Sequence, residues 1–176
     1  MNSNVNYTGV VTLKLKYKDR VIHAKHFNSG TDTLLKTYAK ALAGYSIESF
    51  LPTYFNVGYM NGTEFHSVLT PTIGASVVRS YVDDESKPKD AEGCTRITVT
   101  LSRNMINVNA LGDSQNIRCT LNSSPHEYSP MGTMLAYVDF EDDEASDFLN
   151  MLQTTTAGTQ LIIVWDLFVV NSKEGK

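Results

Sequence analysis

Asp166 is the side chain whose position demands the most of its surroundings. It interrupts an apolar run, Leu161-Ile-Ile-Val-Trp165 before it and Leu167-Phe-Val-Val170 after it. A carboxylate buried in such a run needs a partner to offset its lost hydration. Arg79, Arg96 or a backbone amide are the expected tethers, and the sharper alternative is an acid tuned for proton transfer. His23 and His26 lie three apart in a β-prone stretch, so a regular strand sends them to opposite faces and away from any shared metal. His66 and His126 fall in loop-like segments. Cys94 and Cys119 form no Cys-x-x-Cys, which predicts free thiols serving as small apolar groups in a reducing compartment. A zinc site built from the two cysteines and a histidine has no ligand-spacing support.

The acidic runs Asp83-Asp-Glu85 and Glu141-Asp-Asp-Glu144 lack the spacing of a calcium-binding loop, and read more simply as a solvated loop and a helix N-terminus. The chain carries no Gly-x-Ser-x-Gly, no phosphate-binding Gly-rich loop ending in Lys-Ser or Lys-Thr, and no Gly-x-Gly-x-x-Gly. No catalytic, cofactor-binding or metal-binding residue is therefore assigned, and a non-enzymatic protein is expected. Fifteen basic against nineteen acidic residues give a net charge of −4, with no global drive toward nucleic acid or an anionic membrane. Lys14, Lys16 and Lys18 alternate along one segment and could follow a phosphate backbone, but such a stripe more simply keeps a sheet edge soluble. The longest apolar run is about half the length that spans a bilayer. Met1 to Tyr7 is polar and lacks the basic and apolar regions of a secretory signal, so folding in a cytoplasm is expected.

The elements that must position these residues are mostly strands. Val11, Leu13, Leu15 and Tyr17 alternate with Thr12, Lys14, Lys16 and Lys18, and a turn at Lys18-Asp19 leads into a return strand, Arg20 to Phe27, which Asn28-Ser-Gly30 is expected to end. Asp32 caps a helix over Thr33 to Ala43, whose stripe of Leu34, Leu35, Tyr38, Ala39 and Leu42 should lie on a sheet, with Gly44 as its stop. Strands follow over 53–60 and 76–82. The segment 83–93 carries seven charged residues, a proline and a glycine, and reads as an exposed loop. Cys94 to Leu101 and Met105 to Ala110 are expected to pair as a second hairpin, followed by strands at 117–121 and 132–140. Ala145, Phe148, Leu149 and Leu152 fall at helical spacing behind the acidic run. Thr159 to Val170, apolar on both faces, should be the central strand of the main sheet, with Trp165 in the core.

About nine strands and two helices, without β-α-β alternation, predict one mainly β domain over residues 1–176: an antiparallel β-sandwich or open barrel with two packed helices, α+β being the near alternative. Nine tyrosines, among them Tyr45, Tyr54, Tyr59, Tyr81 and Tyr128, have the apolar bodies and polar tips that suit contact surfaces. The stretch Asn28-Ser-Gly-Thr-Asp-Thr-Leu-Leu35, running into Ala41-Leu-Ala-Gly-Tyr45, with Pro52-Thr-Tyr-Phe-Asn-Val-Gly58 and the closing Leu161 to Asn171, resembles small virion structural proteins of tailed bacteriophages over roughly a third of the chain. The resemblance carries over no site residue. It implies a β-rich head, neck or tail subunit, made in the bacterial host cytoplasm and present in the virion in several symmetric copies. Its strand edges, tyrosines and terminal arms would bind copies of itself and other virion proteins, with no cofactor, membrane or direct nucleic-acid contact. The alternative is a β-sandwich module binding a carbohydrate or other ligand, such as a fibre or receptor-binding domain, which clustered tyrosines and Trp165 exposed near a loop would favour. An unmarked enzyme would need Asp166 or a histidine to meet other polar groups in a cleft.

Overall fold

The computed structural model describes residues 5–17, 20–30, 32–48, 51–70, 74–89, 91–111, 116–125, 132–141 and 160–171, with the strands of 5–30 described by backbone and register. The strands are β1 (Val5–Tyr17), β2 (Arg20–Gly30), β3 (Tyr54–Asn61), β4 (Glu64–Ser67), β5 (Ala75–Ser76), β6 (Val78–Val82), β7 (Cys94–Ser102), β8 (Asn116–Asn122), β9 (Met134–Glu141) and β10 (Gln160–Asn171), and the helix α1 is Asp32–Leu42. Hydrogen bonding runs in the order β4-β3-β8-β9-β2-β1-β10-β7-β6, with β5 also on β3. Between β9 and β2 only Ser29↔Tyr137 and Gly30↔Ala136 pair. That narrow link joins two antiparallel sheets, β4-β3-β8-β9 with β5, and β2-β1-β10-β7-β6. The two ends of the path do not pair, so there is no closed barrel among the described residues, and the fold is the mainly β, sandwich-like architecture expected from the sequence.

Alternation explains how the sheets meet. In the second sheet Leu161, Ile163 and Trp165 of β10 stand opposite Leu101, Val99 and Ile97 of β7. In the first, Phe55 and Val57, Ile117, Cys119 and Leu121, and Ala136, Val138 and Phe140 share a face, and one apolar cluster takes in residues of both sheets. Each fully buried large side chain contributes about 1.5–3 kcal/mol, so this cluster outweighs any surface ion pair, typically worth about 0–1 kcal/mol. β10, as expected, is an interior strand at the middle of its sheet, flanked by β1 and β7, and Trp165 is fully buried.

Several expectations are corrected. Asn28 to Gly30 do not break the strand; β2 continues through them because Ser29 and Gly30 pair with β9 and thereby join the sheets. The segment 76–82 is two strands: β5 pairs with β3, β6 pairs with β7, and Val77 donates its N–H to the Thr53 carbonyl at 3.1 Å where the chain changes sheets. Met105 to Ala110 is not a return strand. Short 3₁₀ turns occupy Arg103–Met105 and Val108–Leu111, in a stretch where Asn104, Asn107 and Asn109 offer the backbone local alternatives to a ladder. Ile106 keeps a single bridge to Leu69. β1, carrying Lys14 and Lys16, lies between β2 and β10 and is no sheet edge.

α1 ends as expected at Gly44 (φ +80°). Tyr45 N–H donates to the Lys40 carbonyl and Gly44 N–H to Ala41, both at 3.0 Å, the pair of bonds that satisfies the last carbonyls of a helix closed by a left-handed residue. Its packing face differs from the expected stripe. Leu34 and Thr37 are buried, whereas Leu35, Tyr38, Ala39 and Leu42 are exposed. α1 starts two residues after β2 ends and packs on β9 and β2, and this entry rotates the helix so that only one side of the stripe meets the sheet. The expected helix behind Glu141–Glu144, the turn at Lys18-Asp19, His126, Tyr128, and the terminal arms 1–4 and 172–176 lie outside the described residues.

Candidate functional site

Asp166 sits on β10 opposite Arg96 of β7, on the face turned away from the shared core. Arg96 donates from Nε to Asp166 Oδ1 at 2.7 Å and from Nη2 to Oδ2 at 2.9 Å. This is the tether expected from the sequence, in its two-pronged form. The same guanidinium donates from Nη1 to Ser86 Oγ at 2.9 Å and from Nη2 to the Ser86 carbonyl at 2.7 Å. Its hydrogen bonds to the Asp166 carboxylate raise the Arg96 pKa above its ordinary value. Asp166 therefore holds an arginine, and that arginine holds the loop 83–93.

The loop is more than a solvated connection. Ser86 N–H donates to Asp84 Oδ1 at 2.8 Å and Lys87 N–H to the Asp84 carbonyl at 3.1 Å, and the Ser86 hydrogen bonds lower the Asp84 pKa. Asp83, Asp84, Glu85 and Ser86 are exposed, while Ala91 is buried in a small cluster with Cys94 and Phe168, against which Val82 packs. The loop thus covers part of the outer face of β10, which accounts for apolar residues on both sides of that strand. Burial, with the Asp166 carboxylate nearby, pushes the Cys94 thiol up to about 11. Cys119 lies in the main core, and burial raises its pKa further. The two cysteines are unbonded and belong to separate clusters.

The remaining candidates do not converge. His66 stacks on Tyr59, its cross-strand neighbour, with ring centroids 5.3 Å apart, and its Nε2 lies 3.8 Å from Glu64. His23 and His26 occupy β2 positions opposite Lys14 and Val11. Among the described residues no three histidine, cysteine or acidic side chains come together as a metal site. A second ion pair was not foreseen: Arg118 on β8 and Asp139 on β9 are direct neighbours, joined by Nε–Oδ1 and Nη2–Oδ2 bonds of 2.6 Å. Arg118 Cζ lies 4.2 Å from the Tyr137 ring centroid. Their types alternate outward along both strands, but only the sheet register reveals the partnership.

What the described surface does present is apolar area in two places. On and after α1, Leu42 is 76% and Tyr45 69% exposed, with Leu35 and Tyr38 nearly half exposed; on β6, Val78 is 70% and Tyr81 72% exposed. β6 lies at one end of the sheet order, with β7 on one side and no described strand on the other. The Tyr81 ring lies against Gly93, where a side chain would run into its hydroxyl, so the ring is supported from beneath while it faces water. Tyr54 and Tyr59, by contrast, are half-buried. Comparison with known proteins gives no match to a family model, a curated protein or a solved structure.

Proposed function

We infer that the chain is a non-enzymatic structural subunit acting through protein–protein contacts, a virion structural or assembly protein of a tailed bacteriophage in its head, neck or tail. The observation that carries the contact reading is the grouping of the exposed large apolar side chains among the described residues: all fall on β6, on α1 or at Tyr45 just after its cap. Isolated exposed apolar residues are ordinary on any protein, whereas grouped ones on an edge strand suit association. The virion assignment rests on the sequence resemblance. The partners that follow from it are copies of this chain and neighbouring virion proteins, and the location is the particle, after synthesis in the bacterial host cytoplasm.

The competing roles have less to stand on. Asp166, the foremost candidate acid, uses both carboxylate oxygens on Arg96. Trp165 is fully buried and offers no stacking surface to a carbohydrate, which weighs against the ligand-binding module. Light scattering of the purified chain across a wide concentration range tests the contact reading. A defined oligomer, or growth into rings or tubes with concentration, is the expected result, and a compact monomer at every concentration counts against it. Electron microscopy of the assembled material would then separate a ring or tube, as a neck or tail component forms, from a closed shell.

A further inference from the structure

β6 reads Val78-Arg79-Ser80-Tyr81-Val82, a sequence with a centre. Ser80 stands opposite Arg96 and Tyr81 opposite Thr95 on β7, so Val78, Ser80 and Val82 share the outer face with Arg96, and Arg79 and Tyr81 share the other. Four of the five residues, all but Val82, are exposed, and the free side of the strand leaves every second backbone N–H and carbonyl without a ladder partner among the described residues. We propose that β6 pairs with β6 of a second copy, antiparallel and in register about Ser80, so that the β2-β1-β10-β7-β6 sheets of two chains join into one continuous sheet. This names the partner of the edge surface and rests on the contact reading above.

The register is selected by side-chain chemistry. A two-fold axis perpendicular to the sheet keeps each residue on its own face, so the strand can be centred on Arg79, Ser80 or Tyr81. Centring on Arg79 sets that guanidinium against its own copy, an unfavourable like-charge pair. Centring on Tyr81 pairs only Ser80 to Val82 strand against strand and sets Arg79 and Val78 against Asp83 and Asp84, which lie in the loop beyond the end of β6. Centring on Ser80 pairs all five residues: Val78 with Val82 twice on the outer face, Arg79 with Tyr81 twice on the other, and Ser80 with Ser80. The Arg79–Tyr81 pair brings a cation to an aromatic ring, a favourable contact, and the ring is already propped by Gly93. An isologous contact of this kind is the commonest way for identical chains to associate.

Cysteine cross-linking tests the register directly. Directly opposed residues of an antiparallel pair have Cα atoms about 4.5–5.5 Å apart, within disulfide reach, so Ser80→Cys should give a covalent dimer on mild oxidation. Val78→Cys alone should not, because each position 78 lies about 13 Å from its copy along the strand, whereas mixing Val78→Cys with Val82→Cys chains should link them. The native thiols are buried, and Trp165 fluorescence reports whether each variant is folded. In light scattering, Tyr81→Arg, which opposes two arginines, should raise the dissociation constant at least tenfold, and Arg79→Glu added to Tyr81→Arg should restore association. If the native chain oligomerises but Ser80→Cys does not link, or Val78→Cys links equally well, the β6 pairing is overturned while the assembly reading stands. A chain that is monomeric at every concentration removes both.

Discussion

Replacing Asp166 with asparagine keeps the side-chain volume and removes the charge that Arg96 grips. Two charge-assisted hydrogen bonds are lost or weakened, each worth about 1.5–3 kcal/mol, and one amide arm now turns donor against donor. The pair is not sealed from water: the Arg96 and Asp166 side chains retain 22% and 11% of their exposure, so water can replace part of what is lost. The expected loss is therefore about 2–4 kcal/mol, below the full cost of stranding one member of a deeply buried pair. In a chain of this size each kcal/mol moves the melting temperature by about 2–4 °C, giving a drop of about 4–16 °C. Urea unfolding followed through Trp165, the only tryptophan, measures it at a concentration low enough to exclude association.

A double-mutant cycle isolates the pair itself. Combining Arg96→Met with Asp166→Leu replaces the ion pair by apolar side chains, and the double variant should recover part of what either single substitution loses, because no charge is stranded. The loop supplies a second readout. Loosening Arg96 from Asp166 weakens its hold on Ser86, so limited proteolysis within 83–93 should quicken in Asp166→Asn. An Asp166→Asn protein within about 0.5 kcal/mol of the native chain, or a coupling energy indistinguishable from zero, would refute the view that this pair tethers the loop, since 0.5 kcal/mol is the scale of ordinary surface substitutions.

Three further outcomes follow from the packing. Gly58→Ala should destabilise the β3-β4 hairpin by about 1–3 kcal/mol or more, as overpacking does, because its Cβ would run into the His66 carbonyl; Gly62→Ala, with open space around it but φ +62°, should cost only the left-handed strain of about 1–2 kcal/mol, and urea midpoints distinguish the two. Burial and the Asp166 carboxylate lift the Cys94 thiol from 9.0 to about 11; since the folded value is the higher one, its contribution is full below about pH 9 and is lost as pH rises toward about 11, so the native chain should lose stability across that window more steeply than Cys94→Ala, and both thiols should resist a thiol reagent at pH 8 until the chain unfolds. Trp165→Ala should cost about 3–5 kcal/mol, and the native emission maximum should be blue-shifted and move to the red on unfolding; an emission maximum already at the position of a solvated indole would contradict the burial.

The features legible in the sequence are those fixed by local pattern. Leu161 to Val170 reads as a covered strand because apolar residues occupy both alternations, and α1 reads as a helix because Asp32 and Gly44 bracket it. Asp166 could be assigned a partner, and Arg96 was among the candidates, since a lone carboxylate in an apolar strand must be offset. What local pattern misses is set by pairing at a distance. Ser29 and Gly30 have the composition of a break, yet the ladder to β9 overrides it. Nothing around Val77 marks a change of sheet. Arg118 and Asp139 become partners only when β8 and β9 come into register, and the outward turn of Leu42 depends on where β2 delivers the helix, which periodicity within α1 does not encode.

The two ends of the sheet order are guarded differently, and that contrast bears on which one is used. β4 is four residues long, starts with the exposed Glu64, and the segment that continues it is covered, with Asn107 N–H donating to the Val68 carbonyl and Thr70 N–H to the Met105 carbonyl, both at 2.8 Å. Shortness, charge and cover are the devices by which strands avoid unwanted pairing. β6 has one of them, the charge of Arg79, beside exposed Val78 and Tyr81. A single arginine on an edge repels a second copy only if the register sets it against itself. Displaced by two residues across an axis at Ser80, it meets Tyr81 instead, so the same side chain disfavours the pairing centred on Arg79 and supports the one centred on Ser80. An edge that admits one register and penalises its neighbour suits a symmetric junction better than it suits a protected rim, and this is why β6, and not β4, is the strand to mutate first.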